Sequence, residues 1–202
     1  MNVSPPVIVL LAAGEASRFG SLKQLAMIDG EPMVRRAARQ ALACGVPVLA
    51  VLGAGAERVA PVLADLPLQT VVHDGWRYGL GSSLAAGVRA VQRAHSHVSG
   101  ALVMLADQPR LGTALLMHLL ALHAQAPTRI IATAQAGRAG PPAVFPCAEF
   151  AALAELSGQH GAREYLQREA ARVVKVEPAV HAADLVDVDT PEDLARAMVP
   201  PR

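Results

Sequence analysis

Aromatic side chains are scarce: they make up 3% of the 202 residues, and Trp76 is the one tryptophan. So few rings cannot build the stacking platforms that hold single-stranded nucleic acid. Charge of one sign is also short, because a net +1 gives no field able to steer a polyanion. Nucleic acid is therefore not an expected partner, and any anion must be met by a few local groups. Lysine occurs only at Lys23 and Lys175. The two cysteines, Cys44 and Cys147, lie far apart and form no CxxC pair, which argues against a disulfide framework and a zinc site. A reducing cytoplasm is the expected compartment. No apolar run approaches the roughly 20 residues that cross a bilayer, and the opening MNVSPPVIVL lacks the basic flank of a signal peptide, so no membrane role is expected. Neither a G-x-S-x-G elbow nor a cysteine with a motif-level base appears, which leaves covalent catalysis unsupported. His95 with His97, and His118 with His123, miss the i, i+4 spacing of a helical metal pair and read as solvated surface.

What is present is apolar bulk, 52% of the chain, with no repeat or linker to divide it, so residues 1–202 read as one domain. The stretch VIVLLAAGEASRFGSLK, Val7 to Lys23, organises the rest. Its first five residues are continuously apolar and β-branched-rich, as in a strand buried on both faces of a parallel sheet. Ala12, Ala13 and Gly14 then carry little side chain, so a ligand can approach the backbone N–H groups, and Arg18 and Lys23 bring cations to the same loop. Such a loop suits phosphates. It is not a Walker A loop, because Gly14 and Gly20 enclose five residues and Lys23 comes three after Gly20. Gly53-Ala54-Gly55 opens like a dinucleotide fingerprint, but Arg58 stands where the third glycine belongs.

Downstream, apolar runs alternate with helical patterns. A turn at Asp29-Gly30 precedes a helix from Pro32 to Cys44, with Arg35, Arg36 and Arg39 on its outer side. A strand at 46–52, a helix at 56–64, a strand at 69–72, a strand at 101–106, a helix at 113–124 and a strand at 129–134 follow. This alternation predicts a mostly parallel sheet covered by helices on both faces, with ligands gathering beyond the carboxyl ends of the strands.

Five further runs carry polar groups toward those ends. Trp76 to Leu84 is a glycine-rich loop opening a helix, and Ser82 or Ser83 reads as its N-cap. The strand at 101–106 ends on Asp107-Gln108-Pro109, which makes Asp107 the first metal candidate. Gly140-Pro141-Pro142-Ala143 is a stiff connection, with Val144-Phe145 returning to the sheet at an edge or beyond a crossover. Gly158 to Arg163 opens another helix. In DVDTPEDL, Thr190 reads as an N-cap with Pro191 at the first helical position, while Asp187 and Asp189 alternate like strand residues and point the same way.

Taken together, L-A-A-G-x-x-x-R-x-G-x-x-K from Leu10, W-x-x-G-x-G-S-S-L from Trp76, L-A-D-Q-P at Leu105, G-P-P-A-V-F at Gly140, G-A-R at Gly161 and D-V-D-T-P-E-D-L at Asp187 resemble the blocks of the MobA-like nucleotidyltransferases. The Ala-Ala form of the first block looks like the cytidylyltransferase branch that finishes molybdenum cofactors; the guanylyl branch commonly has a second glycine where Ala13 stands. The resemblance implies a single three-layer Rossmann-like α/β domain. It also implies transfer of CMP from CTP to a molybdopterin-type cofactor with release of pyrophosphate, and transient contact with a recipient molybdoenzyme or its chaperone. By the same resemblance Leu11, Ala12, Ala13, Gly14, Gly81, Ser82 and Ser83 bind the nucleotide, and Gly140, Pro141, Pro142 and Ala143 meet the acceptor. Arg18, Lys23 and Asp107 serve catalysis, and Asp107 and Asp189 hold Mg2+, with Asp187 in reserve. Two positions depart from the pattern: Asp74 replaces the usual Asn, and Gln159 an acid. They keep open a non-catalytic nucleotide-binding regulatory module, beside a sugar-phosphate or other small-molecule nucleotidyltransferase. An NAD-binding oxidoreductase fits least, for want of the glycine fingerprint.

Overall fold

A computed structural model describes residues 4–15, 19–95, 97–135, 137–159, 161–177, 185 and 187–198. Strand β1 (Val7–Ala12) is followed by the two-residue pair β2 (Met27–Ile28) and β3 (Glu31–Pro32), then α1 (Met33–Leu42), β4 (Val48–Leu52), α2 (Ala56–Leu63) and β5 (Gln69–Val72). Helix α3 (Leu80–Ala94) leads to β6 (Gly100–Leu105), α4 (Thr113–Gln125), β7 (Ile130–Gln135) and β8 (Arg138–Pro146). The chain continues through α5 (Phe150–Ala154), α6 (Gly161–Arg168), β9 (Val173–Val176) and α7 (Pro191–Ala197).

Seven strands form one sheet in the order β5-β4-β1-β6-β8-β7-β9. All run parallel except β8, which is antiparallel to both β6 and β7. The alternation of β1 explains the three layers. Ile8, Leu10 and Ala12 pack into one core with residues of α1, α2 and α4, whereas Val7, Val9 and Leu11 pack into a second core with α3, α5 and α6. Helix α3 lies very close to the sheet, because a Cβ on Gly87 would stand 2.8 Å from Val9 and 2.9 Å from Val51. The chain leaves β1 toward β4 and later returns to its other side as β6. That reversal of strand order opens a crevice at the carboxyl ends of β1, β4 and β6.

Most expected elements stand within two residues of their sequence positions, and Asp29 (φ 50°) with Gly30 (φ 81°) makes the tight turn between β2 and β3. Four expectations change. The prolines of Gly140 to Ala143 are not in an edge connection. They lie inside β8, where the ladder to β7 steps from Ala143 opposite Ala132 to Gly140 opposite Thr133, so Pro141 and Pro142 occupy a bulge and no ladder donor is missed. Thr133 Oγ1 donates to Pro142 O at 2.8 Å and fastens that bulge. The serines do not cap α3: Gly79, at φ 101°, holds the capping position. Arg35 and Arg36 are half-buried ties rather than outward decoration, the first donating to Asp65 at 2.6 Å and the second to Pro109 O at 2.9 Å.

The fourth change is His123, which is 2% exposed, with Nε2 3.3 Å from Ser99 Oγ and Nδ1 unpartnered among the described residues. Burial holds its imidazole below the ordinary value of 6.5, outweighing the Ser99 contact. A depressed folded pKa means that the unfolded chain takes up a proton first as pH falls. Stability is therefore full above about pH 6.5 and declines below it, by at most about 1.4 kcal/mol per pH unit for one proton. Urea unfolding at pH 7.5 and 5.5 is expected to show a steeper loss for the wild type than for His123→Leu. Parallel pH slopes for the two proteins would refute this origin.

Candidate functional site

From Leu11 to Gly14 the carbonyls after β1 are all bonded to protein. Leu11 O accepts from Ala106 N at 3.0 Å and Ala13 O from Ala54 N at 3.0 Å. Ala12 O and Gly14 O both accept from the Gln24 amide, at 3.2 and 2.6 Å. The amides of Ala13, Gly14 and Glu15 make no hydrogen bond among the described residues. Among the described residues nothing lies within 4 Å of where a Gly14 Cβ would stand. With carbonyls turned to protein and N–H groups left over beside open space, the loop is arranged to receive an anion. It forms the floor of an open cleft of about 610 Å³, lined also by Trp76, Arg77, Ser83, Asp107, Gln159 and Asp187. Ala13 is 2% exposed, and its methyl faces Gly53, where a Cβ would be 2.8 Å away, so it presents backbone rather than side chain to the cleft.

The charged centre lies against this floor. A short 3-10 turn (Lys23–Leu25) carries the Lys23 ammonium to Asp107 Oδ2 at 2.7 Å and to Asp189 Oδ1 at 2.9 Å. Burial alone would lower the Lys23 pKa, but the charges and hydrogen bonds of Asp107 and Asp189 outweigh it and the net shift is upward. Asp107 follows the end of β6 and its backbone holds the acidic segment 187–189, with Val188 N donating to Asp107 O at 2.8 Å. Val188 is buried in a small cluster with Ile28 and Met33, which leaves Asp187 and Asp189 on the other side. Helix-start chemistry stiffens that arrangement: Thr190 caps α7, and the Asp193 carboxylate accepts from Thr190 N at 2.9 Å and from Asp189 N at 3.1 Å. Hydrogen bonds from the Thr190 hydroxyl and Arg196 hold the Asp193 carboxyl down at about 2.

Asp187 accepts from Gln108 Nε2 at 3.0 Å. Its side chain keeps some open surface toward the cleft. Even so, packing by protein and, next, the charge of Asp107 push its pKa up to about 6. Two carboxylates thus hold one ammonium with the Asp187 carboxylate near them, and Asp107 Oδ1 is buried without a partner among the described residues. An all-oxygen, net-negative set with an orphaned carboxylate oxygen fits a hard divalent cation. No ready-made group of three acidic, histidine or cysteine ligands converges among the described residues. A cation that completes its shell with phosphate oxygens and water, as magnesium does, needs only one or two carboxylates.

The wall opposite is made by two segments that meet. Gly81 N donates to Gly158 O at 2.9 Å, and a Cβ on Gly79 would lie 2.4 Å from that same oxygen, so only glycine permits the approach. The contact brings Gln159 into the cleft lining. Ser82 turns away, donating to Gly79 O at 2.8 Å and lying 3.0 Å from His73 Nε2, while Ser83 lines the cleft. The Arg77 guanidinium stacks over Trp76 at 4.3 Å from the ring centre. Leu11, Ala12, Ala13, Gly14, Lys23, Ser83 and Asp107 are therefore brought together in the lining of one cleft. Asp189 joins them through Lys23. Gly140, Pro141, Pro142 and Ala143 are not part of the lining, and Arg18 lies outside the described residues. Gln24 was missed by sequence reasoning: nothing in the pattern KQL marks a glutamine that is 3% exposed.

The profile of the MobA-like NTP transferase domain matches residues 8–173. The chain belongs to that family. It is thus a nucleotidyltransferase-family protein, and its sheet and helices are those of the α/β three-layer fold. Nicotine blue oxidoreductase of Paenarthrobacter nicotinovorans is 34% identical over 94% of this chain and 95% of its own length. Purine catabolism protein PucB of Bacillus subtilis is 30% identical with the same coverages. Among solved structures, Rv0371c of Mycobacterium tuberculosis superposes with a TM-score of 0.80 at 28% identity, covering 96% of this chain and 98% of its own. A manganese complex of that protein matches at a TM-score of 0.74 and 26% identity, covering 96% of this chain and 98% of its own. No described helix is long and apolar enough to cross a membrane.

Proposed function

We propose that this chain, acting as one domain over residues 1–202 in the cytoplasm, is a magnesium-dependent cytidylyltransferase that joins CMP from CTP to a molybdopterin-type cofactor. The observation that carries the reading is the meeting of an anion-ready loop with Lys23, Asp107 and Asp189 at one end of the sheet. Asp107 and Asp189 would hold Mg2+, with Asp187 beside them. Bound there, the ion supplies positive charge at the α-phosphate. The amides of Ala13, Gly14 and Glu15 orient the triphosphate. Lys23, with Arg18 assigned beside it by the resemblance alone, balances the charge that grows on the leaving group. A terminal phosphate oxygen of the acceptor attacks the α-phosphorus, the bond to the bridging oxygen of the β-phosphate breaks, and pyrophosphate departs with the electron pair. The attacking oxygen is already anionic at neutral pH, so no general base is required. Orientation and electrostatics then supply the rate. Of the four residues assigned to the acceptor, Pro141 alone keeps partly exposed surface, and none of them lines the cleft.

The name of the 34% identical relative raises an oxidoreductase as the second reading. The glycine that would serve it has another use. Gly53 admits Ala13 and Trp76, each of which a Cβ would meet at under 3 Å. Sugar-phosphate acceptors and a non-catalytic nucleotide-binding role complete the field. Pyrophosphate release with each NTP, Mg2+ and molybdopterin-type or sugar-phosphate acceptors, run beside NAD(P)H oxidation, separates all four. Release with CTP and the molybdopterin-type acceptor is the expected result, and nicotinamide turnover without pyrophosphate would replace this reading.

CTP is expected to outcompete GTP in direct competition for the cleft. Because the Ala13 methyl faces Gly53, Ala13→Gly is expected to narrow the preference through a looser loop, by no more than about tenfold, with CTP still favoured. GTP winning in the wild type would remove the cytidylyl assignment while leaving nucleotidyl transfer standing.

A further inference from the structure

The amide of Gln24 spends both of its donors on one loop. It reaches Ala12 O and Gly14 O, and because both partners are acceptors the orientation of the amide is fixed. The price of that geometry is Oε1, buried with no partner among the described residues. A residue needed only for packing would avoid it, since leucine or methionine fills a similar volume with no polar atom to strand. Without the fork, two carbonyls would be left unpaired or free to turn into the cleft, and Gly14 has no Cβ to resist a peptide flip. A carbonyl oxygen facing the cleft would repel a phosphate where an N–H attracts it.

We propose that Gln24 is the positioning residue of the nucleotide loop: it holds the Ala12 and Gly14 carbonyls inward so that the loop amides face the triphosphate. The inference rests on the nucleotidyltransferase reading above. Gln24 also follows Lys23 in the same 3-10 turn, so one short element sets both the loop and the ammonium that bridges Asp107 and Asp189. The orientation of the donors and the placement of the cation are therefore linked.

The test uses Trp76, the single tryptophan, as an intrinsic fluorescence reporter in the cleft. In titrations with Mg-CTP, Gln24→Leu is expected to bind about 10–100-fold more weakly than the wild type, the loss of one or two oriented hydrogen bonds. KM for the acceptor should stay unchanged. Gln24→Glu places an acceptor-only carboxylate against two carbonyls, so it should be the weakest binder at pH 8. It should recover relative to the wild type as pH falls, because the neutral acid regains one O–H donor. A packing role would make the two variants alike and give no acid recovery. Wild-type affinity in Gln24→Leu, or a Gln24→Glu profile that tracks the wild type, overturns the proposal. Should Gln24→Glu fail to fold, Gln24→Met is tested for the same loss of affinity, and its absence is equally decisive. Failure of the wild type itself to bind any Mg-NTP overturns the underlying reading, and it is seen before a variant is made.

Discussion

Asp107→Asn is expected to keep the fold and lose about 10²–10³ in kcat, the loss typical of removing one preorganised stabilising group from a water-poor site. The substitution is close to isosteric. The backbone carbonyl of residue 107 still receives Val188 N, so the acidic segment 187–189 stays docked. What disappears is charge. Lys23 loses the closer of its two carboxylates, at 2.7 Å, and the orphaned Oδ1 is replaced by or exchanged with an amide that holds a divalent cation poorly. The measurement is steady-state turnover at saturating Mg2+ and CTP, with unfolding curves to show that stability is retained. Near wild-type kcat would leave the proposed mechanism without its centre.

Lys23→Ala is expected to lower kcat by a similar factor, about 10²–10³, with a smaller change in the directly measured CTP dissociation constant. Charge accumulates on pyrophosphate as it leaves, so a cation beside it contributes more in the transition state than in the ground state. Before substrate arrives, the ammonium is engaged by Asp107 and Asp189 and is only 13% exposed along its side chain. Removing it leaves those carboxylates, with Asp187 near them, to repel one another. Lys23→Arg should recover only part of the loss, because a planar fork does not fit a gap shaped for a point charge held at 2.7 and 2.9 Å. Trp76 fluorescence gives the binding term and a pyrophosphate assay the rate. Weaker CTP binding with unchanged kcat would demote Lys23 to a uniform binding contact.

What the sequence revealed and what it hid divide along the range of the interactions involved. The β1 strand and its small-residue loop were legible because an apolar run and an abrupt loss of side chains are local patterns. The start of α7 was legible for the same reason, since Thr190 and Pro191 act within one turn. Asp107 was legible as the end of a strand, but its bond to Lys23 spans 84 positions and no local pattern announces it. Pro141 and Pro142 misled because missing N–H groups suggest a sheet edge, while a bulge satisfied the ladder from inside. Ser82 has a capping side chain, yet the approach of Gly158 to Gly79 and Gly81 sets where α3 begins. His123 and Gln24 were invisible as buried groups because polarity alone places neither inside, and only assembled neighbours show what each one touches.

The central claim is that the α-phosphate of CTP moves to an acceptor phosphate in this cleft, and following that atom tests it most directly. The protein would be incubated with CTP labelled at the α-phosphorus, Mg2+ and a molybdopterin-type acceptor bearing a terminal phosphate. The account predicts label in the acceptor, one unlabelled pyrophosphate per labelled product, and loss of both when the metal is chelated. Label that never reaches the acceptor from CTP, GTP, ATP or UTP, under conditions where the protein is folded and binds Mg-NTP, would contradict it.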